Sequence, residues 1–109
     1  MKPPSCAPAY VQHYLRATEI ARRFGYALAI HGTMARDLDV VAVPWTAEAV
    51  SAEVLVEELA REFAWVIRTD DGDQRHMVGP TEKPHGRRAW LIPLMGCALD
   101  LSVMPRWEP

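Results

Sequence analysis

Apolar side chains near the start of the chain recur in alternating steps of four and three, at Tyr10, Tyr14, Ala17, Ala21 and Phe24. An α-helix turns once in 3.6 residues, so these positions share one stripe, and the spacing predicts a core-facing helix from Ala9 to a stop at Gly25. Ahead of it, residues 1–8 hold Pro3, Pro4 and Pro8 and are expected to form an irregular lead-in, because proline lacks the amide donor and restricts its predecessor.

The period then changes. Tyr26 to His31 is a short, almost unbroken apolar run ended by Gly32, the pattern of a strand buried on both faces. Asp37 to Val43 is rich in β-branched residues and closed by Pro44, a second strand. The five residues between them are too few for a helical crossover, which predicts antiparallel neighbours. Thr46 or Ser51 can cap a second helix whose inner face is Leu55, Leu59 and Phe63. Trp65 to Arg68 reads as a third strand, Asp70 to Asp73 as a tight turn, and residues 70–86 as the least regular stretch. Arg88 to Leu94 and Cys97 to Met104, joined by Met95 and Gly96, form a hairpin. These elements predict an α/β fold of the α+β kind: a mixed, largely antiparallel sheet of about five strands with two main helices packed on it. Residues 9–109 are expected to be a single domain.

Composition agrees with a folded domain, since 50% of the 109 residues are hydrophobic and 24% charged. A formal net charge of -2 supplies no global field toward nucleic acid or anionic membrane, so any nucleic-acid contact must be local. No apolar run reaches membrane-spanning length and the first residues lack a signal-peptide core, from which a cytoplasmic location is expected. Cys6 and Cys97 lie far apart, without the spacing of a redox or metal motif. A domain this small buries a modest share of its surface, and a partner or oligomer would help it.

The acids carry the candidate chemistry. Side chains alternate along a strand, so Asp37 and Asp39 project to the same side with Cα atoms roughly 6.6 Å apart, a span that hard cations bridge through oxygen ligands. An Asp-x-Asp pair at a hydrated strand end also needs no ligand. Asp100 is different, because Leu99, Leu101 and Val103 around it read as interior strand. A carboxylate there needs a partner, either an arginine (Arg36, Arg75, Arg87 or Arg88) or a shared metal.

The run from Ile30 to Val41, Ile-His-Gly-Thr-Met-Ala-Arg-Asp-Leu-Asp-Val-Val, resembles the signature of the polymerase-β-like nucleotidyltransferase superfamily, and Ala98 to Ser102 is similar to the later strand that supplies its third acid. The likeness covers about residues 26 to 104 in order, and extends to small proteins of phages and mobile elements. It implies Asp37, Asp39 and Asp100 as catalytic metal ligands for Mg²⁺ or Mn²⁺, Gly32 and Thr33 at the phosphate-binding turn, and an NTP as substrate. The basic segment Lys83 to Arg88, with Arg87 and Arg88, would clamp phosphates through bidentate guanidinium contacts, although it also reads as a solvated loop. His31 reads either as a phosphate donor or as a satisfied core histidine.

Two departures shape the expectation. Thr33 keeps the hydroxyl of the family's serine. Only three residues, Met34 to Arg36, separate Gly-Thr from Asp-x-Asp, where the family places a helix whose amides hold the phosphates. That shortening implies a reduced phosphate site. It keeps open an alternative of another class, a catalytically degenerate nucleotidyltransferase-fold interaction protein of inhibitor or antitoxin type, for which Trp45 and Trp107 would suit a protein interface. A metal-dependent phosphohydrolase using the same acids with water as acceptor is also open. Trp45, beside Pro44, reads equally as a core plug.

Overall fold

The structure is a computed structural model and describes residues 7–32, 37–63, 66–69, 72–75, 78–94 and 97–106, with the backbone alone for 7–11, 66–69, 72–75, 94 and 97. Its elements, in chain order, are α1 (Ala7–Arg23), β1 (Tyr26–His31), β2 (Leu38–Pro44), α2 (Ala52–Phe63), β3 (Val66–Thr69), β4 (Gly72–Arg75), β5 (Val78–Glu82), β6 (Arg88–Leu94) and β7 (Cys97–Val103). Five strands form one mixed sheet in the order β1-β2-β7-β6-β5, and β3 pairs with β4 in a separate two-stranded ladder. Only β2 and β7 run parallel; the other three pairings in the large sheet are antiparallel. The fold class is therefore the expected one.

Alternation along the central strands sorts the two faces. Leu38, Val40 and Ala42 of β2 lie opposite Leu99, Leu101 and Val103 of β7, and all six are buried on the face that carries both helices. α1 brings Ala17, Ile20 and Ala21 to this layer and α2 brings Leu55, Val56, Leu59 and Ala60. The α1 stripe is as predicted, with Tyr14 and Phe24 packed against the core; the Tyr10 side chain lies outside the described residues. Tyr14 also donates its hydroxyl proton to the Leu28 carbonyl (2.9 Å), tying α1 to the outer edge of the sheet. Of the two candidate caps for α2, Ser51 does the work: its Oγ accepts from the Val54 amide at 3.3 Å.

Four sequence expectations need correction. α1 starts at Ala7, not Ala9, because Pro8 falls in the first turn, where a missing amide costs nothing. β1 is not buried on both faces: it is an edge strand, with Tyr26 and Leu28 inward and Ala27, Ala29 and His31 exposed. The strand at residues 66–69 stays out of the large sheet and pairs locally with 72–75, so Gly72 and Asp73 belong to a strand rather than to a turn. The fifth strand of the sheet is instead β5, inside the stretch expected to be irregular. Val78-Gly-Pro-Thr-Glu82 has no apolar alternation, and all five residues are exposed. An edge position tolerates the proline that would disqualify a central strand.

The joint beside Trp45 shows why Gly25 is glycine. Its φ is +91°, and a Cβ there would lie 2.6 Å from Ala49 Cα. Its carbonyl accepts from the amides of Trp45 (2.8 Å) and Thr46 (3.3 Å), while the Val50 amide donates to Phe24 O at 3.1 Å. The turn between α1 and β1 is thereby fastened to the connection between β2 and α2.

Leu101 is fully buried at the middle of the sheet. Leu101→Ala should cost about 2–5 kcal/mol, whereas Leu15→Ala, at a side chain 59% exposed on α1, should stay within about 0.5 kcal/mol. Urea unfolding of the two variants checks the contrast.

Candidate functional site

The face without the helices carries the acids. In the parallel ladder Asp39 of β2 lies directly opposite Asp100 of β7, and in the antiparallel ladder His31 of β1 lies directly opposite Asp39. Three adjacent strands thus present His31, Asp39 and Asp100 as one cross-strand row. Leu91 of β6 continues it beyond Asp100. Asp39 and Asp100 are each half-buried between fully buried neighbours on the opposite face, while His31 is exposed. Asp37 sits in the bend just before β2 rather than in the strand.

The proximity has an electrostatic consequence. The Asp39 carboxyl is pushed above its ordinary pKa, first by burial and next by the charge of Asp100. Positive charge on His31 opposes the shift, Asp37 adds to it, and protonated Asp39 donates a hydrogen bond to Asp100. Asp37 and Asp100 therefore both bear on the Asp39 carboxyl group, with His31 as the local counterweight. Among the described residues, no three histidine, cysteine or carboxylate side chains are already gathered around a common point at ligand distance.

Gly32 completes this end of the site. Its φ is +76°, and a Cβ built on it would fall 2.5 Å from Asp39 Oδ2. Backbone and carboxylate touch where any other residue would push the acid away. Thr33, the second residue expected at the phosphate turn, lies outside the described residues, as do Met34, Ala35 and Arg36.

The basic segment divides. Arg87 stays on the acid-bearing side: its Nε donates to Pro84 O at 3.0 Å and its Nη1 to Ser102 Oγ at 3.4 Å. Ser102 lies two residues beyond Asp100, roughly 6.6 Å along the strand, and opposite Val41, two residues beyond Asp39. Arg88, expected beside Arg87 as a phosphate clamp, points to the other face. Its two Nη atoms donate to both carboxylate oxygens of Glu53 on α2 at 2.9 Å, and its guanidinium lies over the Trp90 ring, 5.3 Å from the centroid. Strand alternation separates the two arginines, and a carboxylate on α2 takes the second one. Neither Arg87 nor Arg88 is the partner of Asp100, and Arg36 and the Arg75 side chain are outside the described set.

His31 was legible only as an ambiguity. Its place in the exposed series Ala27, Ala29, His31 is the signal that excludes a core histidine, and it becomes usable once β1 is known to be an edge strand. Trp45 does not plug the core either: it is 78% exposed. Trp107 lies outside the described residues. No helix among them is long and apolar enough to cross a membrane. No family model, curated protein or solved structure matches the chain.

Because Asp39 binds its proton more tightly in the folded state than in the unfolded chain, folding takes up a proton there. Ionised Asp39 therefore costs stability above its raised pKa, and that cost disappears as pH falls through it. Asp39→Asn should melt at or above the wild-type temperature at pH 7, with the gap narrowing as pH drops into the carboxylate range. A mutant markedly less stable at pH 7 would contradict the charge arrangement. Gly32→Ala should lose about 1–2 kcal/mol from its left-handed backbone alone, read by chemical denaturation.

Proposed function

We propose that the protein is a metal-dependent nucleotidyltransferase that moves a nucleotidyl group from an NTP to an acceptor hydroxyl. The observation that carries this reading is the direct opposition of Asp39 and Asp100 on neighbouring strands, with Asp37 acting on the same carboxyl group. A strand ending in Gly32, the Asp-x-Asp strand and a later strand with a third acid lie side by side in the order the sequence resemblance implies.

The donor set fits a hard divalent cation. Asp100 raises the pKa of the half-buried Asp39, a repulsion that a cation between them would relieve, and oxygen donors of this kind suit Mg²⁺ or Mn²⁺. Such a cation, when bound, neutralises phosphate charge and makes an acceptor hydroxyl easier to deprotonate. The chain's own groups do the rest. Asp37, Asp39 and Asp100 would hold the cation, and Gly32, having no side chain, lets the backbone pack directly against the Asp39 carboxylate. Arg87, on the same face, offers a guanidinium to a phosphate further along the sheet. Arg88 has no part in this, since Glu53 neutralises it on the far face.

A second reading, a degenerate nucleotidyltransferase fold that serves as an interaction module, draws support from the exposed Trp45 and the three-residue spacer before Asp37. Thermal melts separate the two. For the enzyme, Mn²⁺ should raise the melting temperature and an NTP should raise it further, because a ligand at about 100 times its Kd adds about 2.7 kcal/mol to the native state. Asp100→Asn should abolish both increments while the domain still folds. A wild type indifferent to metal and NTP that purifies with a protein partner would instead establish the module.

A further inference from the structure

We propose that the cavity between α1, the first residues of β1 and the Trp45 connection is a second binding site, for a planar aromatic anion. The cavity is about 320 Å³, within the range of small-molecule sites, which begin near about 300 Å³. Its walls are Tyr26, Ala27 and Leu28 of β1, and Thr18, Arg22 and Trp45 also line it.

Thr18 Oγ1 is buried and has no hydrogen-bond partner. A helical threonine ordinarily returns its hydroxyl to the carbonyl one turn back, and burying it unpartnered costs stability. The Arg22 guanidinium, four residues further along α1 and so on the same side of the helix, forms no ion pair or hydrogen bond with a described residue. Trp45 stands at the mouth, 78% exposed, and its ring stacks on no described side chain.

These groups specify a ligand between them. A flat ring stacks on Trp45 and against the apolar β1 wall. An anionic group on that ring meets Arg22, whose planar fork matches carboxylate and phosphate oxygens. A ring heteroatom or substituent meets the Thr18 hydroxyl once it turns from its buried position toward the cavity. An aliphatic ligand would leave Trp45 wet, and a cation would be repelled by Arg22. The concavity favours a small molecule over a flat protein surface. The site is also separate from the acid row: Tyr26 to Leu28 lie three to five residues from His31, roughly 10–16 Å along the strand. It does not rest on the nucleotidyltransferase reading.

Aromatic carboxylates and nucleoside monophosphates share this chemistry, and titration of the full chain in EDTA distinguishes them. Indole-3-carboxylate and adenosine 5′-monophosphate serve as probes, each beside its uncharged counterpart, indole or adenosine. The Trp45 indole N–H and the amides of Thr18 and Leu28 are followed by NMR. At least one anion should give saturable shifts at these positions and bind at least tenfold more tightly than its uncharged counterpart; the one that does so identifies the ligand type. Arg22→Gln should erase that preference. Thr18→Val should weaken binding while raising the melting temperature of the unliganded protein, an opposition that a merely structural threonine would not give. The proposal is overturned if neither anion moves the Trp45 signal, if Arg22→Gln leaves the preference intact, or if Thr18→Val lowers the melting temperature. A Trp45 signal that responds only to protein concentration would mark self-association at this face and also overturn it.

Discussion

The parallel pairing of β2 with β7 is the constraint on which the rest of the molecule depends. Leu38 on Leu99, Val40 on Leu101 and Ala42 on Val103 form the buried centre of the sheet, and the alternate positions hold Asp39 beside Asp100. A slip of one residue would drive a carboxylate into the apolar layer and a leucine out of it. Core burial therefore sets the spacing of the acids. The repulsion between them is tolerated because the apolar pairs on the reverse side hold the register.

Much of this was visible in the chain before any coordinates. The α1 stripe, the adjacent antiparallel strands before and after Gly32, the α2 face and the C-terminal hairpin all have strong local periods, and each appears where expected. The three acids were singled out by alternation and by the apolar neighbours of Asp100; the structure sets Asp100 opposite Asp39 and puts Asp37 in the bend before the strand, from which it still acts on Asp39. Two things were not legible. β5 owes its place to pairing with β6 rather than to its own composition, and a Gly-Pro edge strand carries no period-two signal. Arg87 and Arg88 look equivalent as neighbours in a basic run, yet adjacent strand positions face opposite ways, and nothing local announces that Glu53 waits on α2.

The same alternation divides the charged groups between the faces. On the helix side, Glu53 and Arg88 close on each other beside Trp90 and join α2 to β6, while Arg16 bridges α1 to Glu62 of α2 at 2.8 Å. Both pairs are largely exposed, and their contribution is to orient the helices more than to hold them, since solvent and salt screen such contacts. On the opposite side the charges are left less evenly compensated: acids along the row, and Arg87 beyond them anchored to Pro84 and Ser102. A face whose charges are not cancelled among the described residues is where ligand chemistry has leverage.

The joint at Gly25 bears on how the molecule opens. Trp45 and Thr46 look like surface loop by exposure, yet their amides are spent on the Gly25 carbonyl, and Tyr26 donates its hydroxyl to Val50 O at 2.6 Å. The connection from β2 to α2 cannot lift away without also freeing the start of β1. Local fraying is thereby converted into a larger cooperative event, and the backbone amides of Trp45 and Val50 belong to the same opening unit as the sheet edge. The most exposed tryptophan on the described surface thus has a wet ring on a backbone that is tied to the start of β1.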